Sequence, residues 1–168
     1  QAAEEWMNMS GSFTDWNQIG DANWHITDGE FVADSGNGHL VTRQSFSDVR
    51  IKAEFWASEG ANSGIFLRAS DPASIADANA YEVNIFDNRA DQTYRTGGLV
   101  NFAAPMVSIN TPGKWNTYDI TLQGDHIVVI LNGETTIDTH DATYASGPIS
   151  LQYGAGVVKF RNMQIQKL

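Results

Sequence analysis

The sequence predicts an all-β protein, a sandwich of two antiparallel sheets, on three observations. Apolar and polar residues alternate at a period of two, most cleanly from Val49 to Ala57, where Val49, Ile51, Ala53, Phe55 and Ala57 fall on one side and Arg50, Lys52, Glu54 and Trp56 on the other. Helical periodicity is almost absent. Fifteen glycines, with Asn, Asp and Ser, break the chain at roughly the eight-to-twelve-residue rhythm of short strands joined by turns.

Taken in order, Trp24 to Ile26 and Glu30 to Val32 read as strands flanking Asp28-Gly29, a pair suited to a two-residue hairpin turn with positive φ. His39 to Arg43 is another short strand, followed by Val49 to Ala57. Glu59 to Asn62 turns the chain into a strand over Ser63 to Ser70, and Asp71 to Asn79 is expected to form one helical turn. A strand follows over Ala80 to Asp87. Asn88 to Pro112, containing Thr96-Gly97-Gly98, is the longest irregular stretch, and a loop that long in a compact domain is expected to line a site. Trp115 to Gln123 and Ile127 to Leu131 are strands meeting near Gly124-Asp125; Asn132-Gly133 is the strongest hairpin signal; Ile149 to Tyr153 and Val157 to Ile165 close the sheets. About a dozen strands with no helical layer pack most economically as two sheets sharing one core.

At 168 residues the chain is expected to form one domain over residues 1–168. Twenty acidic residues against ten basic ones, a formal charge of −10, argue against nucleic acid or an anionic membrane surface as partner, since no Lys/Arg cluster offsets the field. The absence of cysteine excludes disulfides and thiolate chemistry. No apolar run approaches bilayer-spanning length. The start, Gln1-Ala2-Ala3-Glu4-Glu5, has no signal-peptide pattern. A first residue other than Met, with an acidic, Trp-rich composition, leads to the expectation of a mature secreted or periplasmic bacterial protein. The oligomeric state is not readable.

Strand by strand, the residues opposite the core are Lys52, Glu54 and Trp56; Phe66 and Arg68; Glu82, Asn84 and Phe86; and Gln152. Carboxylates, amides, a guanidinium and aromatic rings together suit a sugar, whose hydroxyls donate and accept while its C–H faces lie on rings. Other readings stand beside this one. Glu54 and Arg68 also fit a structural cross-strand ion pair, Trp56, Phe66 and Phe86 fit burial beneath a loop, and Asn62-Ser63-Gly64 fits a turn and bulge. Asp87, Asn88 and Asp91 form an oxygen-rich cluster suited to a divalent cation such as calcium, with Asp87 as the ligand singled out. The four histidines show no paired metal spacing, and no nucleophile elbow or phosphate loop is present.

Beyond these local signals, the chain resembles the 3-keto-disaccharide hydrolase domain family, formerly a domain of unknown function, over nearly its whole length. The resemblance rests on Trp16 and Trp24 with Asp28-Gly29, Leu40-Val41-Thr42, Phe46-Ser47-Asp48, Glu54, Asn62-Ser63-Gly64-Ile65-Phe66-Leu67-Arg68, Tyr81-Glu82-Val83 to Asp87, Thr96-Gly97, Trp115-Asn116, Leu131-Asn132-Gly133, Gly147 with Ile149, Leu151-Gln152 and Phe160-Arg161-Asn162. It implies a concanavalin A-like lectin/glucanase sandwich, a jelly roll. It also implies a glycosidase of 3-keto-glycosides with its site on a concave sheet face. There Glu54 or Glu82 would be the base and Arg68 the partner of the developing oxyanion, with Trp56, Phe66, Asn84, Gln152 and Arg161 holding the sugar. Two positions depart from the family pattern: Asn84 stands where Gln is usual, and Gly154 where His is usual. A carbohydrate-binding module without catalysis is the alternative, supported by Gly154 and by the lack of a metal-spaced histidine pair.

Overall fold

The alternating pattern folds as expected. In the computed structural model, which describes residues 4–168, thirteen strands form two antiparallel sheets. Gln1 to Ala3, on which the reading of the chain's start partly rests, lie outside the described residues. The strands are β1 (Met7–Asn8), β2 (Trp16–Gly20), β3 (His25–Thr27), β4 (Glu30–Ala33), β5 (Gly38–Thr42), β6 (Val49–Ala57), β7 (Asn62–Leu67), β8 (Tyr81–Ile85), β9 (Trp115–Gln123), β10 (His126–Leu131), β11 (Glu134–His140), β12 (Ser150–Ala155) and β13 (Val158–Lys167). The larger sheet runs β11-β10-β9-β6-β13-β4-β3, with β1 also paired to β13; the smaller runs β2-β5-β12-β7-β8.

Both hairpin dipeptides adopt the expected conformation. Asp28 and Gly29 have φ of 52° and 79°, and Asn132 and Gly133 have φ of 51° and 82°, the left-handed pair that a two-residue turn between twisted strands requires. No helix of the described residues is long and apolar enough to cross a membrane. The helical turn expected over Asp71 to Asn79 does not form. Side-chain acceptors there tie the backbone into turns instead: Asp71 accepts from the Ala73 amide and Asn79 from the Ala76 amide.

The inner faces share one core. Val49, Ile51, Ala53, Phe55 and Ala57 of β6 meet Tyr81, Val83 and Ile85 of β8 and Leu151 and Tyr153 of β12 in it. Phe55 stacks on Tyr118 with centroids 5.1 Å apart. Trp16 and Trp24 are buried, and the Trp16 indole donates to the Met9 carbonyl, tying the N-terminal segment down. The exposed edge of β8 is covered by the long loop. The Asn84 amide donates to the Gly98 carbonyl, the Val100 amide donates to the Glu82 carbonyl, and Leu99 bridges Val83.

Candidate functional site

Register places the site. Across the smaller sheet, His39 of β5, Gln152 of β12, Gly64 of β7 and Asn84 of β8 are successive partners, and Val41, Ser150, Phe66 and Glu82 form the adjacent row. Inward residues being core, these two rows face outward. They floor a cavity of about 460 Å³, within the size range of sugar-sized ligand sites. The loop 71–79 contributes Asp77 to its wall and the long loop contributes Arg89 and Val100.

Gly64 is the hole in this floor. A Cβ there would lie 2.7 Å from Glu82 Oε2, so the missing side chain lets the Glu82 carboxyl lie over the strand toward the middle of the cavity. Glu82 is buried and finds no hydrogen-bond donor among the described residues. Burial pushes its pKa up to about 8; Asp77 adds to the rise and Arg89 opposes it. Gln152 offers a buried amide oxygen with no partner among the described residues, and Arg89 offers an unpartnered guanidinium nitrogen. Each has capacity left for a ligand. His39 donates to or accepts from Ser150 Oγ at 2.9 Å through Nδ1, and its ring stands edge-on to Phe66. Burial lowers its pKa to about 4.

The residues expected to share one site are divided. Glu82, Asn84, Phe66 and Gln152 line the cavity. Phe66 also packs with Val41, Ala69, Ile75 and Ala80 in a small cluster. Asn84 is committed locally, donating to the Tyr94 carbonyl at 2.6 Å and accepting from the Ile85 amide, so it braces the long loop. Glu54, Trp56 and Arg161 lie instead on the outer face of the larger sheet. There Glu54 accepts from Arg161 Nε at 2.9 Å and from Asn162 at 2.6 Å, Arg161 lies 3.8 Å over the Trp115 ring, and Lys159 covers Trp56. The whole core separates them from Glu82.

Arg68 is a second correction. β7 ends at Leu67, and Arg68 takes φ 52°, so alternation stops one residue before it and its side chain leaves the face of Phe66. The buried guanidinium donates to the carbonyls of Ser47, Gly124 and Tyr144 and pairs with Asp48, so Arg68 neither pairs with Glu54 nor lines the cavity of Glu82. The cavity's guanidinium is Arg89. Asp87 is a third correction: Oδ1 accepts from Thr111 Oγ1, and Oδ2 accepts from the Thr111 amide and Arg95, so the buried carboxylate is engaged in holding the loop. Among the described residues no three His, Cys, Asp or Glu side chains converge as metal ligands would. The described residues around Asp87 do not fit a resident cation.

His39, Asn62, Arg89 and Asp77 were not singled out from sequence as site residues, although Asn62 sits in the Asn-Ser-Gly stretch. Asn62 leans over Gly154, whose missing Cβ would lie 2.9 Å from Asn62 Nδ2. The cavity rim at Gly154 is therefore built by an amide from β7.

Fold and site define a two-sheet antiparallel β-sandwich with a polar cavity on the outer face of its smaller sheet. A family profile, the 3-keto-alpha-glucoside-1,2-lyase-like domain, matches residues 4–166, and the chain belongs to that family. It is similar in structure to a candidate glycosyl hydrolase from Parabacteroides distasonis ATCC 8503, with 21% identity, TM-score 0.84 and coverage of 98% of this chain and 100% of that one. The carbohydrate-binding module CBM66 from Bacillus subtilis aligns at 19% identity and TM-score 0.70 over 89% of this chain and 94% of that one. A Bacillus subtilis protein of unknown function with a galectin-like fold aligns at 13% identity and TM-score 0.74 over 98% and 96%. No curated protein matches.

Proposed function

We propose that the chain is a carbohydrate-active enzyme that cleaves 3-keto-glycosides or related disaccharides by elimination in the cavity of the smaller sheet. The observation that carries this is the buried carboxyl of the cavity, Glu82, held over Gly64 among unpartnered polar groups. A ketone at C3 acidifies the C2 hydrogen. The Glu82 carboxylate takes that proton, the C–H pair forms an enolate, and the enolate's collapse expels the C1 oxygen, which recovers the proton. Water then adds to the enone. A carboxyl whose pKa burial raises to about 8 is a stronger base than an exposed one and still part-ionised near neutral pH.

Ordinary glycoside hydrolysis needs two carboxyl groups flanking C1, about 5 to 9.5 Å apart. Glu54 and Glu82 point away from each other on opposite sheets, so they do not form that pair.

Carbohydrate binding without turnover is the second reading, favoured by Gly154, which brings no acid or base to the rim. A secreted or periplasmic location belongs to the same proposal, supported by the acidic, Trp-containing composition. The test is to incubate the protein with a 3-keto-disaccharide and with its unoxidised parent and follow the anomeric protons by NMR. Turnover of the keto form alone, lost in Glu82→Gln, is the expected result. Shifts without turnover support the binding module, and silence with both sugars overturns both readings.

A further inference from the structure

We propose that His39 is the electrophile of this cavity, a neutral imidazole whose Nε2–H donates to the ketone oxygen of the bound sugar while the Ser150 hydroxyl, donating to Nδ1, fixes that tautomer. This rests on the reading of the cavity as an elimination site.

The tautomer follows from burial. Ser150 is wholly buried, and His39 Nδ1, at 2.9 Å, is the only partner of its Oγ among the described residues. A buried hydroxyl proton without an acceptor is costly, so Ser150 donates and Nδ1 accepts. The ring's proton then sits on Nε2. Because His39 lines the cavity while Nδ1 is taken by Ser150, Nε2 is the nitrogen left for a ligand.

The spacing suits one sugar ring. His39 and Gly64 are two strands apart in one cross-strand row, about 10 Å between backbones. Glu82 lies over Gly64 at one end of that span and the imidazole stands at the other, with Gln152 between. A pyranose bridging them would present C2 to the carboxylate and its C3 oxygen toward the imidazole. Burial keeps the ring uncharged through the neutral range, and the edge-on contact with Phe66, at 5.3 Å, holds its plane. A fixed neutral N–H is a suitable donor to a carbonyl turning into an enolate. In the step, the C2–H bond breaks, its proton passes to Glu82, its electron pair becomes the C2=C3 bond, and the carbonyl π pair moves onto the oxygen that His39 holds. Reversal in D2O returns deuterium to C2.

The experiment follows C2 exchange of methyl 3-keto-α-glucoside in D2O by proton NMR, for the wild type, His39→Ala and His39→Gln, beside the ¹⁵N spectrum of His39 in the wild type. Expected are exchange in the wild type, a slowing of about 10²–10³-fold in His39→Ala, partial recovery in His39→Gln, which can still donate, and a neutral ring protonated on Nε2. A wild type that neither exchanges nor eliminates overturns the elimination reading together with this assignment. Exchange in the wild type with unchanged rates in both variants overturns the role of His39 alone. A ring protonated on Nδ1, or charged at neutral pH, does the same without needing either variant to fold.

Discussion

The hydroxyl of Tyr118, on the larger sheet, donates to the carbonyl of Asn84, on the smaller, at 2.6 Å, and accepts from the Gly97 amide at 2.8 Å. One buried phenol thus joins both sheets and the loop that lines the cavity. Burial drives its pKa upward, so it stays a donor at every accessible pH. Tyr118→Phe leaves the Gly97 amide with only its longer contact to Asn84. The expected cost is about 1–3 kcal/mol in urea unfolding, with faster amide exchange at Gly97 and Gly98 than in Tyr94 or Thr96. An unchanged midpoint would mean that the loop is held elsewhere.

Gly64→Ala tests the hole in the floor. The added methyl would lie 2.7 Å from Glu82 Oε2, 3.2 Å from its Cγ and 3.3 Å from the Val83 carbonyl, so the buried carboxyl has to move while the backbone scarcely can. The expected outcome is a folded protein that loses keto-sugar turnover at least about tenfold, since small misplacements of a reacting group are costly. Retained turnover would show that Glu82 does not act from this position.

How legible this was in the sequence is clear at four residues. Parity placed Glu54 and Glu82 opposite the core, and both are; a sandwich has two such faces, on opposite sides of the molecule, and alternation alone does not say which sheet a strand joins. Arg68 failed for a local reason, a single positive φ after Leu67 that ends the alternation. His39 entered the site through its pairing with Gln152, a contact between distant parts of the chain that no local pattern carries. The hairpins at Asp28-Gly29 and Asn132-Gly133 were readable because their chemistry is confined to two residues.

Arg68→Met separates structure from catalysis. The Arg68 side chain is 3% exposed, and its removal strands the carbonyls of Ser47, Gly124 and Tyr144, while Asp48, part-exposed, keeps the Gly124 amide. A loss of about 3–5 kcal/mol is expected in chemical denaturation from the carbonyls left without a donor, with the kcat of the folded fraction unchanged below the transition. A stable variant with depressed kcat would return Arg68 to the reaction.

Glu54→Gln is the complementary control. Its partners Arg161 and Asn162 lie on the larger sheet, and the pair is part-exposed, so solvent screening limits the stability change to under about 1 kcal/mol. Turnover and sugar binding should equal those of the wild type. A tenfold loss of either would place chemistry on that face.

Two buried groups set opposite slopes of stability against pH. His39, lowered from 6.5 to about 4, is charged only in the unfolded chain between those values, so the unfolded state binds more protons and stability rises with pH through that window. Glu82, raised from 4.5 to about 8, stays protonated in the folded protein while the unfolded chain ionises, so its contribution is complete below 4.5 and is lost as pH rises to 8. Between 4.5 and 6.5 the two slopes oppose each other, so urea midpoints should be nearly level there and fall from about 6.5 to 8. His39→Gln should extend the fall down to pH 4.5, and Glu82→Gln should abolish the alkaline fall and leave a rise from about 4 to 6.5. The base form of Glu82 has the reverse profile, so kcat/KM for a 3-keto-glycoside should climb through a midpoint near 8 while stability falls. A rate profile flat from pH 6 to 9, alongside a wild-type alkaline slope that vanishes in Glu82→Gln, would keep the buried carboxyl and remove it from the chemistry.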